Sequence, residues 1–348
     1  MPLRFILAAL IALAPAPLAA QQPAEARALA VPANASWQHA RTSMILPPRS
    51  AGLARGPVRD NGEDERDVIA QYGGDSDEAF ATVYLFQTGV PSAALWFDRA
   101  LVPIMLRPEY GLQGASPPVP NAFARPGATV ASGLRASVDL SVPQLRSTAV
   151  ALAPLGDFMV KIRMSSGRLD RAALDAMLSR FIDGLRWPAE SGRPAAAAQP
   201  IAPCQQALRL RNARTLRAEM TDSILGGALM SAVSSSQAES DQPPPVYCRE
   251  PDATLAYGVY RPDASSDAYV IALSDAGIAY SAGQQLDLSA LTGEGRGSRR
   301  YALTLLARNA SGVVAAFNRL PPPAQALSVA ERAGPLIMTS YDPPAQAD

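Results

Sequence analysis

One lysine, two cysteines and one histidine carry most of the chemistry that this 348-residue sequence offers. Lys161 is the only lysine; the other basic residues are arginines. It lies in a cleanly alternating run at residues 158–164. Phe158, Val160, Ile162 and Met164 fall on one side and Met159, Lys161 and Arg163 on the other, the pattern of a half-buried strand. If residues 81–86 align beside that strand, Thr82, Tyr84 and Phe86 join its second face. A cation beside aromatic rings serves an anionic or aromatic ligand. Tyr84, Phe86, Lys161 and Arg163 are therefore the candidate ligand-facing residues. The competing reading, which carries more weight at this point, is that a helix covers the face and the long side chains snorkel around it.

Cys204 and Cys248 are the two cysteines. An even count in an exported chain predicts a disulfide. A metal site would want more Cys or His, and a redox pair would take the C-x-x-C spacing. His39 would have to serve any Ser-His-Asp or Cys-His machinery, yet it falls in a stretch without periodicity and reads as solvent-exposed. The G-x-S-x-G, H-E-x-x-H and S-x-x-K motifs are missing. The glycine-rich residues 293–297 lack the phosphate-loop lysine and read as a loop. The acidic residues Asp60, Glu63, Asp64, Glu65 and Asp67, followed by Asp75, Asp77 and Glu78, lack the ligand order of an EF-hand and read as solvated loops. No catalytic residue, metal or cofactor is expected.

The beginning of the chain predicts its address. Arg4 precedes an apolar run from Phe5 to Leu13, and Leu18-Ala19-Ala20 offers small residues for cleavage. Together these make residues 1–20 a secretory signal peptide, and the mature protein is expected in the periplasm or outside the cell. The run is too short to span a bilayer, and the longest later apolar stretch, Ile224 to Val233, is also too short and carries Gly226 and Gly227, so no integral membrane segment is expected after cleavage. Thirty-one basic residues balance 31 acidic ones, which argues against nucleic acid and against an anionic membrane surface as partners.

The elements that must position these side chains divide the chain in two. Residues 21–40 read as a flexible tail. Residues 41–188 form an α+β sandwich domain, residues 189–203 a Pro/Ala-rich linker, and residues 204–342 a β-rich α+β domain. In the first, residues 67–72 and 81–86 pair as strands and Pro91 opens a helix reaching residue 105. After the 158–164 strand, apolar residues from Leu174 to Leu185 form one stripe of a helix over residues 169–186. In the second, a helix at residues 220–233 precedes short β-like runs at 254–260, 268–273, 277–281, 300–308, 313–317 and 336–340. Residues 208–216 suit either strand or helix. The fold class is α+β, with antiparallel sheets and packed helices in both halves.

Residues 46–55, 67–72 and 81–86, in that order, resemble the opening of exported bacterial proteins of unknown function. The strand and helix between Phe158 and Pro188 are similar to the close of Mog1/PsbP-like domains. That resemblance covers roughly residues 43–188 and implies an α/β/α sandwich that binds partners; it carries over no functional residue. The expected function is a non-enzymatic binding or accessory protein of the cell envelope, its partner an envelope protein or a small molecule. A periplasmic hydrolase without a recognisable motif, and a small-molecule-binding module with its site between the domains, are the alternatives.

Overall fold

The computed structural model describes residues 26–62, 64–74, 78–190, 195–216, 244–251, 253–285, 300–308, 310–333 and 339–340. The expected signal peptide, the helix at 220–233 and the glycine-rich loop at 293–297 lie outside the described residues.

The first sheet is built from residues before the expected linker. Its strands are β1 (Arg27–Ala28), β4 (Arg49–Ser50), β5 (Leu53–Asp60), β6 (Asp67–Tyr72), β7 (Phe80–Gln87), β8 (Asn121–Phe123), β9 (Gly133–Val142), β10 (Leu145–Leu155) and β11 (Phe158–Ser166). A separate ribbon pairs β2 (Trp37–Gln38) with β3 (Ile45–Leu46). The order is β1-β5-β6-β7-β11-β10-β9-β8, with β4 added to β5, and every pairing is antiparallel. Helices α1 (Ala93–Leu106) and α2 (Arg171–Gly184) lie on opposite faces. The α2 residues Leu174, Leu178 and Phe181 pack with Val83, Val160 and Ile162, whereas the α1 residues Leu95 and Trp96 pack with Phe86, Leu152 and Met159. Both helices begin where the sequence provides a cap: the Ser92 side chain accepts from the Leu95 amide and the Asp170 side chain from the Ala173 amide.

The second sheet uses β12 (Ala202–Pro203), β13 (Thr215–Leu216), β14 (Tyr247–Arg249), β15 (Tyr257–Pro262), β16 (Ala268–Leu273), β17 (Ile278–Gln284), β18 (Tyr301–Leu306), β19 (Ala310–Phe317) and β20 (Thr339–Ser340). Their order is β12-β14-β15-β16-β17-β18-β19-β13, with β20 on β19; the β12–β14 pair alone is parallel. Helix α3 (Pro323–Ala333) buries Ala326 and Ala330 against one face. The protein is thus α+β with mostly antiparallel sheets. The five predicted strands between residues 254 and 317 all form, with ends shifted by a few residues. Of the ambiguous residues 208–216, only Thr215–Leu216 is a strand.

A single apolar cluster spans the two sheets, and α1 lies at its centre. Leu95, Trp96, Phe97, Ala100, Leu101 and Ile104 share that cluster with Leu134, Val150 and Leu152 of the first sheet and Tyr260, Val270, Ala272 and Ala279 of the second. Ten consecutive residues of α1, Leu95 to Ile104, are buried. A helix apolar all round belongs between two layers. Its two charges, Asp98 and Arg99, face the second sheet. Asp98 accepts from Arg249 at 2.5 Å and from the Tyr260 hydroxyl at 2.7 Å. Arg99 donates to the carbonyls of Ser274, Thr254 and Leu255.

The expected tail departs from its sequence reading. Residues 27–28 pair with β5, and Arg55 donates to the carbonyls of Pro32, Ala35 and Leu46, tying the segment down. His39, expected in solvent, is wholly buried and sits edge-on to Phe158 and Trp37. Its Nε2 lies 2.7 Å from the Glu65 carbonyl, which only accepts, so Nε2 carries the proton. Nδ1 then accepts from the Thr42 amide and hydroxyl. Asp60 is likewise buried, accepting from the Gly62 and Glu65 amides, rather than solvated.

Burial pushes the His39 pKa below its usual value near 6.5, and nearby Arg41 adds to this; the carbonyl and carboxylate of Glu65 and the charge of Asp60 oppose it. The neutral ring is the folded form, so the unfolded chain takes up the proton first. Stability is therefore complete above about pH 6.5 and falls as pH drops from there toward the lowered folded value. His39 is the only histidine. In His39→Gln the denaturation midpoint should lose this slope, while stability at neutral pH drops by about 1–3 kcal/mol for the stranded Glu65 carbonyl and Thr42 amide. Urea titrations across that window would read both effects, and an unchanged slope in the variant would exclude His39 as its source.

Candidate functional site

The sheet register decides which side chains meet. Across β11 and β7, Lys161 lies opposite Tyr84, Met159 opposite Phe86 and Arg163 opposite Thr82. Across β7 and β6, Tyr84 lies opposite Ile69 and Phe86 opposite Asp67. Side chains alternate across a strand, so Asp67, Ile69, Tyr84, Phe86, Lys161 and Arg163 share the face that also carries α1. Two covers act on this face. Helix α1 takes the part over β9 and β10, and the β16–β17 turn of the second sheet descends over Lys161.

Between that turn and the first sheet is a cavity of about 130 Å³. Asn61, Asp67, Ile69, Tyr84, Phe86 and Lys161 line it from the first half, Asp275 and Ala276 from the second. Asn61, Ile69, Tyr84, Asp275 and Ala276 are only half-buried, so the cavity reaches the surface. The turn owes its close seat to glycine. Gly277 has φ +83°, and a Cβ there would lie 2.7 Å from the Gln87 carbonyl and 2.9 Å from the Phe86 ring. Only a residue without a side chain permits both the conformation and the approach.

Lys161 is almost wholly buried, and its Nζ donates to the Asp275 carboxylate at 2.7 Å and to the Asp275 carbonyl at 3.1 Å. The same nitrogen lies 4.3 Å from the centre of the Tyr84 ring and 5.5 Å from that of Phe86. Burial, the largest influence, pushes its pKa below the usual lysine value, and Asp275 and Asp67 pull it back. At the other side of the cavity Asp67 is paired with Arg308, again across the two sheets. Burial pushes the Asp67 carboxyl upward against the pull of Arg308 and Lys161. The Tyr84 phenol is also pushed up by burial, which keeps it a neutral hydroxyl.

Three of the four ligand-facing candidates thus meet at one cavity: Tyr84, Phe86 and Lys161. Arg163 does not line it. It sits one step further along β11, half-buried, and its charge acts on Tyr84 from outside. Asp67, read from the sequence as part of a solvated acidic loop, instead opens β6 and is paired with Arg308; Asp275 and Arg308 were not among the candidates. Their partners are far away in the chain, and the one local sign was that α1 has no polar face to leave in solvent. Cys204 and Cys248 are joined, with Cα atoms 4.9 Å apart. The described residues contain no cluster of His, Cys, Asp and Glu suited to a metal, and none of the described helices is long and apolar enough to cross a membrane. No protein-family model, no curated protein and no solved structure matches this chain.

Proposed function

We propose that the chain is an exported, non-enzymatic binding protein, and that it takes a small ligand in the cavity between its two sheets. One observation carries this reading: Lys161, whose buried ammonium lies beside the Tyr84 and Phe86 rings, lines with them a cavity that reaches the surface. Recognition sites favour junctions between layers, with apolar walls and a few placed polar groups. Ile69, Phe86 and Ala276 supply the apolar wall here, and Lys161, Asn61 and the Tyr84 hydroxyl the polar groups. The described lining contains no serine, cysteine or histidine to act as a nucleophile or its base in a hydrolase of the usual kind. That weighs for binding and against the hydrolase reading. The signal-like sequence of residues 1–20 and the disulfide support the placement outside the cytoplasm.

Size limits the ligand. A space of about 130 Å³ is close to that of an engineered cavity, roughly 150 Å³, which takes benzene. The occupant is a molecule of that size or the end of a longer one. Thermal unfolding against a library of small metabolites is the test. A true ligand at about a hundred times its Kd adds roughly 2.7 kcal/mol, a rise of several degrees in Tm. Lys161→Met should abolish the rise. If no small molecule gives a rise that depends on Lys161, the cavity is not a binding site.

A further inference from the structure

Resting on that reading, we infer that Lys161 captures small aldehydes and ketones as a reversible imine, with Asp275 moving the proton. Three features of the geometry point to it. Lys161 lines a cavity that admits a molecule of a few non-hydrogen atoms, and its Nζ is held among three other lining residues, Asp275, Tyr84 and Phe86. A carboxylate stands 2.7 Å from that nitrogen. Aromatic and aliphatic walls, Phe86 and Ile69, are placed to receive the apolar chain of the carbonyl compound. A buried lysine is the type of amine that becomes nucleophilic near neutral pH. The downward push on its pKa supports this and leaves more free amine than an exposed lysine has.

The chemistry balances without any further reactant. Asp275 takes one proton from the Lys161 ammonium, and the freed nitrogen lone pair bonds to the carbonyl carbon. The π pair of the C=O moves onto oxygen. That oxygen receives one proton from the nitrogen and the second from Asp275, and it departs as water while the nitrogen lone pair closes the C=N bond. The net change is ammonium plus carbonyl compound going to protonated imine plus water. Asp275 ends as it began, a carboxylate facing a cation, so the ion pair survives in the product.

The single lysine makes the test sharp, because the only other aliphatic amine in the chain is its α-amino group. The oxidised, folded protein is incubated with butanal and sodium cyanoborohydride, which reduces an imine to a stable secondary amine, and the adduct is located by peptide mass mapping. Lys161 should be modified at least about tenfold faster in the folded protein than in the same protein unfolded in urea. Asp275→Asn, which keeps an acceptor but cannot carry the proton, should slow modification by about a hundredfold. Lys161→Arg preserves the charge and should leave only the α-amino adduct, with an unchanged circular dichroism spectrum showing that the fold is intact. Modification of Lys161 no faster in the folded than in the unfolded chain would overturn the inference and make the ammonium a shielded ion-pair partner. If Lys161 shows no such acceleration while ligands without a carbonyl group raise Tm through Lys161, imine capture fails and the binding reading stands; if neither effect is seen, both fall.

Discussion

Asp98→Ala is expected to destabilise the protein by about 3 kcal/mol, because it removes the acceptor on which two groups of the second sheet converge. The carboxylate lies on α1 and takes hydrogen bonds from Arg249 and from the Tyr260 hydroxyl. Its side chain is 8% exposed, that of Arg249 27%. Truncation strands a buried hydroxyl and leaves the guanidinium without its anion. Breaking a buried pair from one side costs about 3–5 kcal/mol; the lower end applies because Arg249 retains some access to water. Asp98→Asn should cost less, since an amide oxygen still accepts from Tyr260 while the charge on Arg249 goes unanswered. Guanidinium denaturation of the oxidised protein, followed by both fluorescence and far-UV circular dichroism, measures the loss. A change below about 1 kcal/mol, the size of an exposed pair, would mean that the sheets do not lean on this contact.

Local periodicity showed the elements whose polar and apolar residues alternate or form a stripe, and hid the strand whose sequence is apolar on both sides. The 174–185 stripe gave α2 almost to its ends, because that helix presents one face to a single core. The 158–164 alternation gave β11, but not as the half-buried strand it suggests: β11 is buried on both faces, with Val160 and Ile162 under α2, Met159 beside α1 and Lys161 under the β16–β17 turn. β10 went unseen. Its residues Ala149 to Ala153 are apolar throughout and buried on both faces, between α1 and α2, so alternation vanishes. In α1 the apolar residues were legible but the role of Asp98 and Arg99 was not: two adjacent charges in a helix with no polar face had to meet a second layer. The candidate face behaved similarly. Pairing with residues 81–86 was a register argument, and it brought Tyr84 and Phe86 beside Lys161. What closes over Lys161 is a turn 114 residues away, and no spacing in the sequence announces such a contact. The N-terminal segment failed for another reason. It is held by side chains reaching backbone carbonyls, chiefly from Arg55, and that kind of anchoring leaves no hydrophobic period to read.

Loss of the Cys204–Cys248 disulfide is the other change with a large expected cost. The two cysteines are separated by 44 positions, and closing a loop of that length in the unfolded chain is worth roughly 4 kcal/mol by chain entropy. In the folded protein the bond pins β12 beside β14, where Ala202 pairs with Cys248 and the Cys204 amide donates to the Arg249 carbonyl. Behind it, Arg261 and Glu250 form an ion pair at 2.7 Å whose side chains are less than a tenth exposed. The next residue along β14 is Arg249, opposite Tyr260 on β15, and these are the two residues that grip Asp98. The disulfide therefore steadies the strand that carries half of the grip on α1, and the two predictions are not independent. Groups sharing a network show interaction energies of about 0.5–3 kcal/mol in double-mutant cycles. Cys204→Ser/Cys248→Ser alone should lower stability by roughly 4 kcal/mol, and Asp98→Ala should cost noticeably less in that background than in the oxidised protein. Strict additivity of the two losses would show that the disulfide acts on the unfolded chain alone, and that β14 keeps its hold on α1 without it.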